Sequence, residues 1–307
     1  MLADRRFAVL AFALLVVFWG SAFGAIKVSL AYAPPVLFAG MRTLLCGAVV
    51  ALAALVWGGR PNLGRDWRVY LLLAFFNVAL FMGLQTLTIL YMPSGTAAVV
   101  IYLQPILVGL LAFLILGEPL SAAKVVGLLL GFSGVVVVSA GSLSGVSLGT
   151  PLGVALGVVS AVSWALGTVY FKRYGERLSM LWAVAAPFLV GGVFLTSLGL
   201  VLEPISSISW TGTYVASFLY ASLVGTALAW VLWLGLVRVG EASRVAAYVF
   251  FVPLVSVLLG AILLGETLSP SLLVGAAFVV CGIYLVNKPS ALSRQRSAKS
   301  KDPEADH

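Results

Sequence analysis

Apolar runs long enough to cross a lipid bilayer recur along nearly the whole chain, and they restrict it to a membrane-embedded fold. Crossing a hydrocarbon core of about 30 Å takes around 20 residues of helix. Of the 307 residues, 62% are hydrophobic and only 9% are charged, whereas soluble domains carry roughly 25% charged residues. Such a chain cannot cover its apolar surface for water, so we predict an all-α integral membrane protein.

Ten apolar runs, separated by charged or turn-forming residues, predict ten transmembrane helices. The first five lie near residues 7–31, 35–57, 69–90, 94–116 and 121–140. The second five lie near residues 150–171, 178–201, 213–237, 243–264 and 270–287. Because the connections are short, we expect one compact bundle followed by a disordered cytoplasmic tail over residues 288–307.

The basic residues lie almost entirely on one side of the predicted membrane. Of the 18 Lys and Arg residues, all but Lys27 and Arg42 fall in the N-terminal segment, in or beside alternate loops, or in the tail. Cytoplasmic loops are enriched in Lys and Arg. We therefore expect both termini to be cytoplasmic, which requires an even number of spans.

The sequence repeats itself after 148 residues, with prolines, glycines and a Gly-Glu pair recurring at matching positions. The matched positions are Pro105 with Pro253, Gly117-Glu118 with Gly265-Glu266, Gly127 with Gly275, and Gly134 with Gly282. Near the start of each half, a shift of 145 residues superposes Trp19 on Trp164 and Lys27 on Lys172. This set of matches indicates two copies of one unit.

Each copy contains five spans, and an odd number means that the second copy enters the membrane from the opposite side. We therefore predict two inverted five-helix repeats, the first over residues 1–144 and the second over residues 145–287. The inversion places Lys27 and Lys172 at opposite ends of equivalent helices, in agreement with the charge distribution.

These features resemble the drug/metabolite transporter superfamily, in which two EamA-type repeats of five helices form a ten-helix carrier. The resemblance covers the chain to about Val286. In the second copy its most recognisable stretches are residues 225–230, 241–243 and 263–269, together with Pro253. The chain looks most like the aromatic amino acid exporters of the YddG type. The resemblance implies a secondary transporter in the bacterial inner membrane.

The residues that most enzymes and pumps need do not occur at suitable places in the sequence. The single histidine is His307, the last residue, and no phosphate-binding G-x-x-x-x-G-K-[ST] loop occurs. Cys46 and Cys281 lie in apolar segments without metal-ligand spacing. We predict a protein that is not an enzyme, with no catalytic residue, no metal, no cofactor and no nucleic-acid partner.

The carboxylates lie at the ends of the predicted spans rather than near the membrane midplane. Those beside the spans are Glu118, Glu176, Glu203, Glu241 and Glu266. Carboxylates inside the membrane often mark ion coupling, so this pattern favours a facilitator driven by the gradient of its own substrate. A carboxylate at a boundary, or the charge of the substrate, leaves proton coupling open.

Inward-facing polar and aromatic residues are expected to line the substrate path, because lipid-facing positions have no use for amides. In the third span, Asn77, Phe81, Gln85 and Thr88 recur at helical spacing. The remaining candidates are Trp19, Tyr102, Trp164, Trp230 and Trp233. Each aromatic residue taken alone is equally compatible with packing or with the interfacial belt.

Pro105 and Pro253 occupy equivalent positions in the middle of their spans, where each removes a backbone hydrogen bond and bends its helix. Their symmetry favours a role in gating, and shaping of helix packing is the other open interpretation. Arg42 lies inside the second span, where its repeat equivalent is Pro187. It either binds a substrate carboxylate or extends to the membrane interface.

Together these features predict a monomeric secondary transporter that exports aromatic or other neutral amino acids and related small metabolites by alternating access. Its partners are the small-molecule substrate and membrane lipids. A proton-coupled multidrug or metabolite exporter and a lipid-modifying membrane enzyme are the alternatives. Because the polar candidates concentrate in the first copy, we expect substrate specificity to lie chiefly there.

Overall fold

The protein is described by a computed structural model that covers residues 5–92, 94–141, 150–264 and 270–288. Throughout these residues the regular structure is helical, and ten helices are long and apolar enough to cross a membrane. Six of them are uninterrupted: α1 (Arg5–Leu30), α2 (Pro35–Trp57), α5 (Ala122–Gly141), α6 (Pro151–Tyr174), α7 (Met180–Leu202) and α10 (Pro270–Asn287). The ten predicted spans are thereby confirmed.

The other four helices are composite. The first of these, α3, consists of Leu63–Leu73, a π-helical Ala74–Met82 and Gly83–Tyr91, and α8 consists of Gly212–Ser222, a π-helical Leu223–Leu228 and Ala229–Val239. Helix α4 consists of Ser94–Ile101, Gln104–Leu111 and a π-helical Ala112–Leu116, and α9 consists of Ala242–Ala247, a 3₁₀ turn at Tyr248–Phe250 and Phe251–Leu264. The π-helical segments of α3 and α8, and the interruptions before Pro105 and Pro253, lie at corresponding places in the 148-residue repeat. The π-helical Ala112–Leu116 has no counterpart in α9, where the equivalent residues 260–264 are α-helical.

Helix α3 begins at Leu63, earlier than the start near residue 69 that hydropathy predicts. The side chain of Asn62 accepts a hydrogen bond from the backbone N–H of Arg65 at 3.2 Å, which satisfies one of the free donors at the helix start. Asp66 lies in the first turn, where a negative charge is favourable. The helix therefore extends as a polar turn beyond the apolar run.

The equivalent helices α2 and α7 pack against each other in antiparallel orientation. A Cβ atom added to Gly47 would lie 2.6 Å from the backbone nitrogen of Leu189, and one added to Gly192 would lie 2.6 Å from that of Leu44. From Leu44 to Gly47 along α2, the contacted residue in α7 goes back from Gly192 to Leu189, so the two helices run in opposite directions. Gly47 and Gly192 are themselves equivalent under the 145-residue shift, so the contact is symmetric.

Helices α5 and α10 form a second symmetric pair through the glycines of the repeat. A Cβ atom on Gly127 would lie 2.6 Å from the carbonyl oxygen of Gly282, and one on Gly134 would lie 2.6 Å from that of Gly275. Small residues let membrane helices approach this closely. Each pair joins one copy to the other in opposite orientation, as the inverted repeat requires.

Some predictions lie outside the described residues. The proposed boundary between the copies at residue 144, the Gly265-Glu266 pair and the tail beyond residue 288 belong to this group. The division of the chain into repeats at residues 144 and 145 remains a proposal.

One end of the bundle, which we call the basic end, carries the loops that follow α2, α4, α6 and α8. Its chain segments are held together by polar contacts. Arg177 forms an ion pair with Asp66 at 3.0 Å, and the ammonium of Lys172 donates to the carbonyl oxygen of Arg238 at 2.8 Å. The first contact joins the loop after α6 to the start of α3, and the second joins the end of α6 to the end of α8.

We expect Gly134→Ala to destabilise the protein by about 1–3 kcal/mol, because the added methyl group would press against the backbone of α10. The matched control is Gly24→Ala in α1, where a Cβ atom would meet nothing within 4 Å. The apparent melting temperature in detergent checks both variants. Equal melting temperatures for Gly134→Ala and the wild type would refute the close α5–α10 contact.

Candidate functional site

Five buried aromatic side chains from four helices meet in the interior of the bundle. They are Trp19 of α1, Phe81 of α3, Trp164 of α6, and Trp230 and Trp233 of α8, and we call them the aromatic cage. The ring centroids of Trp19 and Trp164 lie 5.3 Å apart, edge to face, and those of Phe81 and Trp164 lie 4.7 Å apart, stacked. Such pairs stabilise one another beyond their burial.

A cavity of about 30 Å³ lies against this cage. Of the predicted substrate residues, Trp19, Phe81, Gln85, Tyr102, Trp164 and Trp230 line it. The volume holds one or two water molecules and is far smaller than an amino acid. Admission of a substrate therefore requires the surrounding helices to move apart.

The cavity belongs mainly to the first copy. Only Trp164, Gly225 and Trp230 among its lining residues come from the second copy. The apolar members Ile26, Met82 and Ile101 have no distinguishing sequence signal, because the cavity-facing and lipid-facing positions of a membrane helix are equally apolar.

Two predicted residues, Asn77 and Trp233, are buried but do not line the cavity. Trp233 packs behind the lining, against Trp19 and Trp164 at 5.5 and 5.7 Å. Asn77 faces α6 instead, where a Cβ atom on Gly167 would lie 2.5 Å from its Cγ. That Asn77 and Trp233 contact the substrate remains a proposal.

The π-helical segment of α3 explains why Asn77 leaves the stripe that regular helical spacing predicts. In a π-helix the hydrogen bond runs from residue i to residue i+5, so each turn is wider than in an α-helix. Asn77 and Phe81 lie within this segment, and Gln85 follows it. The matching segment of α8 is also π-helical, and within it the Thr226 hydroxyl donates to the carbonyl of Ala221 at 2.7 Å.

The helices α4 and α9 are interrupted just before Pro105 and Pro253. In α4 the α-helix stops at Ile101 and resumes at Gln104, and in α9 the turn at Tyr248–Phe250 takes this place. Proline lacks the N–H group that would continue the helical ladder. Ile101 and Tyr102, at the α4 interruption, are also part of the cavity wall.

The basic end carries a polar cluster that we call the basic-end clasp: Glu118, Lys124, Glu241 and Ser243. Glu118 accepts from the backbone N–H groups of Ala242 at 2.6 Å and Ser243 at 3.1 Å, and from the Ser243 hydroxyl. Lys124 donates to Glu241 at 3.1 Å and to Ser243 at 2.9 Å. The clasp ties the end of α4 and the start of α5 to the start of α9.

The clasp depends on Gly117, which ends α4 in the left-handed conformation with φ of 68°. Glycine adopts this conformation without steric cost. The backbone N–H of Glu118 then returns to the carbonyl of Ala112 at 3.2 Å. The Gly-Glu pair is therefore a helix end followed by a carboxylate that caps the neighbouring helix.

A carboxylate caps a helix at the opposite end as well. Glu203, at the end of α7, accepts from the backbone N–H groups of Val36 at 3.1 Å and Leu37 at 2.8 Å, at the start of α2. Negative charge is favourable at a helix N-terminus. Both Glu118 and Glu203 thus have structural partners at the bundle ends.

Arg42 is 2% exposed and lines the cavity together with Gln85 and Met82. The second open interpretation of this residue, extension to the membrane interface, is therefore wrong. Its side chain stays inside because α2 is covered by α7 on one side and faces the cavity on the other.

Comparison with known proteins gives a consistent family assignment. The EamA-like transporter family matches residues 6–140 and 151–288. The chain is 43% identical over 279 residues to an uncharacterized transporter of Bacillus subtilis, YvbV, covering 91% of this chain and 90% of the relative. It is 30% identical over 295 residues to a probable amino-acid metabolite efflux pump of Escherichia coli, covering 92% and 95%.

A solved crystal structure has the same fold. It superposes with a TM-score of 0.78 at 23% sequence identity and covers 95% of this chain and 99% of that chain.

We expect Glu118→Ala to destabilise the protein by about 1–2 kcal/mol, because two backbone N–H groups at the start of α9 lose their acceptor. Glu176→Ala, an exposed carboxylate in the next loop of the same end, is the control. Thermal unfolding in detergent measures both. If Glu118→Ala has the same melting temperature as Glu176→Ala, the cap does not contribute to the stability of the protein.

Proposed function

The chain belongs to the EamA-like transporter family, and we propose that it exports aromatic and other neutral amino acids and related small metabolites across the bacterial inner membrane. The observation that carries the proposal is the aromatic cage against a cavity whose polar lining includes Gln85 and Tyr102. Ligand sites are mostly apolar with a few placed polar groups. The name of the efflux pump relative supports the same substrate class.

The helix interruptions support alternating access as the mechanism. Those before Pro105 and Pro253 lie at equivalent positions of oppositely oriented copies, so the same bend opens opposite ends of the path. The α4 interruption carries Ile101 and Tyr102 of the cavity wall, so bending there widens the cavity. We propose that Pro105 and Pro253 gate transport, and that the basic-end clasp opens when the basic end does.

The location of the charges supports a facilitator. Among the described carboxylates, Glu118 and Glu203 cap helices, while Asp66 and Glu241 form ion pairs at the basic end. The lining of the cavity is free of carboxylates. A proton-coupled exporter would instead use a titratable acid in the path, and a lipid-modifying enzyme would need several acids clustered at one interface.

We also propose that the basic end is cytoplasmic, because Lys and Arg favour cytoplasmic loops. In a Cys281→Ser background, a membrane-impermeant maleimide should label Ser206→Cys on intact cells and leave Arg60→Cys unlabelled. Both positions are exposed, at opposite ends of the bundle. Labelling of Arg60→Cys in place of Ser206→Cys would show that the basic end lies outside the cell.

A single chain contains both copies, so we propose that the monomer is the working unit.

We expect proteoliposomes containing the purified protein to exchange radiolabelled phenylalanine or tryptophan. Trp164→Ala should reduce this flux about tenfold or more, since it removes the ring that stacks on Phe81 and packs on Trp19. Trp164→Phe should restore part of it. The absence of flux with each of the twenty amino acids would overturn the substrate class.

The matched control is Trp210→Ala, a tryptophan 63% exposed in the loop before α8, which should transport as the wild type does. Size-exclusion chromatography confirms that each variant is folded. The same liposomes, measured with and without a pH gradient, test the driving force. Equal rates are expected for a facilitator, and flux that requires the gradient would establish the proton-coupled alternative.

A further inference from the structure

Arg42 has no counter-charge among the residues that the structure describes. The three ion pairs within that part of the chain, Lys124–Glu241, Asp66–Arg177 and Glu241–Arg244, all lie at the basic end. Arg42 instead donates to the thioether sulfur of Met82 at 3.3 Å, and its guanidinium carbon lies 5.4 Å from the ring centroid of Phe38. Sulfur is a weak acceptor, so these contacts compensate the charge poorly.

The guanidinium also retains unused hydrogen-bonding capacity. Its Nε atom is buried and has no hydrogen-bond partner among the described residues. Arginine presents five N–H donors and stays charged inside proteins. A buried cation without a partner is strongly unfavourable. Arg42 therefore needs an anion, and the cavity that it lines is the space beside it where an anion can bind.

The geometry points to a carboxylate as that anion, and we propose that Arg42 is the carboxylate-binding residue of the transport site. The planar guanidinium matches a carboxylate with two parallel hydrogen bonds, and one guanidinium balances one carboxylate charge. A phosphate group carries up to two charges, but Arg42 is the single cation in the lining, and Lys27 of α1 is exposed and outside it. Gln85, in the same lining, supplies an amide donor to the cavity.

The remainder of the lining sets the class of substrate. The rings of Trp19, Phe81, Trp164 and Trp230 fit an aromatic or apolar body. A substrate ammonium group would meet the faces of aromatic rings in this lining, and no carboxylate is present there to pair with it. The site therefore selects aromatic monocarboxylates by their carboxylate, and the α-amino group is tolerated rather than required. This deepens the proposed function and rests on it for the location of the substrate.

Two compounds that each lack one group of tryptophan test the proposal. Indole-3-propionate keeps the carboxylate and lacks the amino group, whereas tryptamine keeps the amino group and lacks the carboxylate. We expect indole-3-propionate to inhibit radiolabelled tryptophan flux in proteoliposomes about as well as unlabelled tryptophan, and tryptamine to inhibit at least about tenfold more weakly. Equal inhibition by the two compounds would overturn the proposal.

Variants of Arg42 test whether this residue is responsible for the preference for a carboxylate. In calorimetric titration of the purified protein, Arg42→Met should weaken indole-3-propionate binding about tenfold to a hundredfold, and Arg42→Lys should weaken it less. Arg65→Met, which replaces an exposed arginine of α3, is the control and should bind as the wild type does. Unchanged binding by Arg42→Met would also overturn the proposal. If Arg42→Met does not fold, the affinity of Arg42→Lys for indole-3-propionate is compared with that of the wild type. Weaker binding supports the proposal, and equal binding overturns it.

The outcomes separate this proposal from the proposed function. Tryptophan flux that tryptamine and indole-3-propionate inhibit equally would leave the amino acid exporter intact and remove the role of Arg42. Arg42-dependent binding of indole-3-propionate without flux of any amino acid would support the role of Arg42 and overturn the proposed export of amino acids.

Discussion

The close antiparallel packing of equivalent helices is the interaction on which the structure depends. Lipid tails are as apolar as leucine, so the association of membrane helices depends on close packing and on hydrogen bonds between helices rather than on the hydrophobic effect. The glycines Gly127, Gly134, Gly275 and Gly282 allow this for α5 and α10, and Gly47 and Gly192 allow it for α2 and α7. Both pairs join one copy to the other, and α2, which carries Arg42 of the cavity lining, belongs to one of them.

A symmetric scaffold carries an asymmetric site. The π-helical segments of α3 and α8 and the interruptions of α4 and α9 match between the copies, so both copies can bend alike. The cavity lining comes mainly from the first copy, and Arg42 has Pro187 as its equivalent. A substrate with unlike ends requires unlike groups around it, whereas alternation between two sides requires only that the copies move equivalently.

The charged groups divide by depth in the bundle. Several at the ends have partners: Glu118 and Glu203 cap helix starts, and Lys124 joins α5 to α9. Arg42 alone among the cavity residues carries a permanent charge. Charge at a bundle end is stabilised by water and by neighbouring loops, whereas charge inside must be matched by a group that binds there. This contrast is why the buried arginine is more informative about the substrate than the end charges.

The sequence by itself determined the ten spans and the inverted repeat, and it named all five residues of the cage as candidates. Transfer of a segment into lipid depends on its own composition, and five spans per copy fix the relative orientation by counting. The tertiary structure decided what each buried side chain meets. It turned Asn77 toward α6 through a π-helical turn, placed Trp233 behind the lining and kept Arg42 inside. Hydropathy separates membrane from water, but a cavity-facing position and a helix-facing position are equally apolar, so only the packing of the helices distinguishes them.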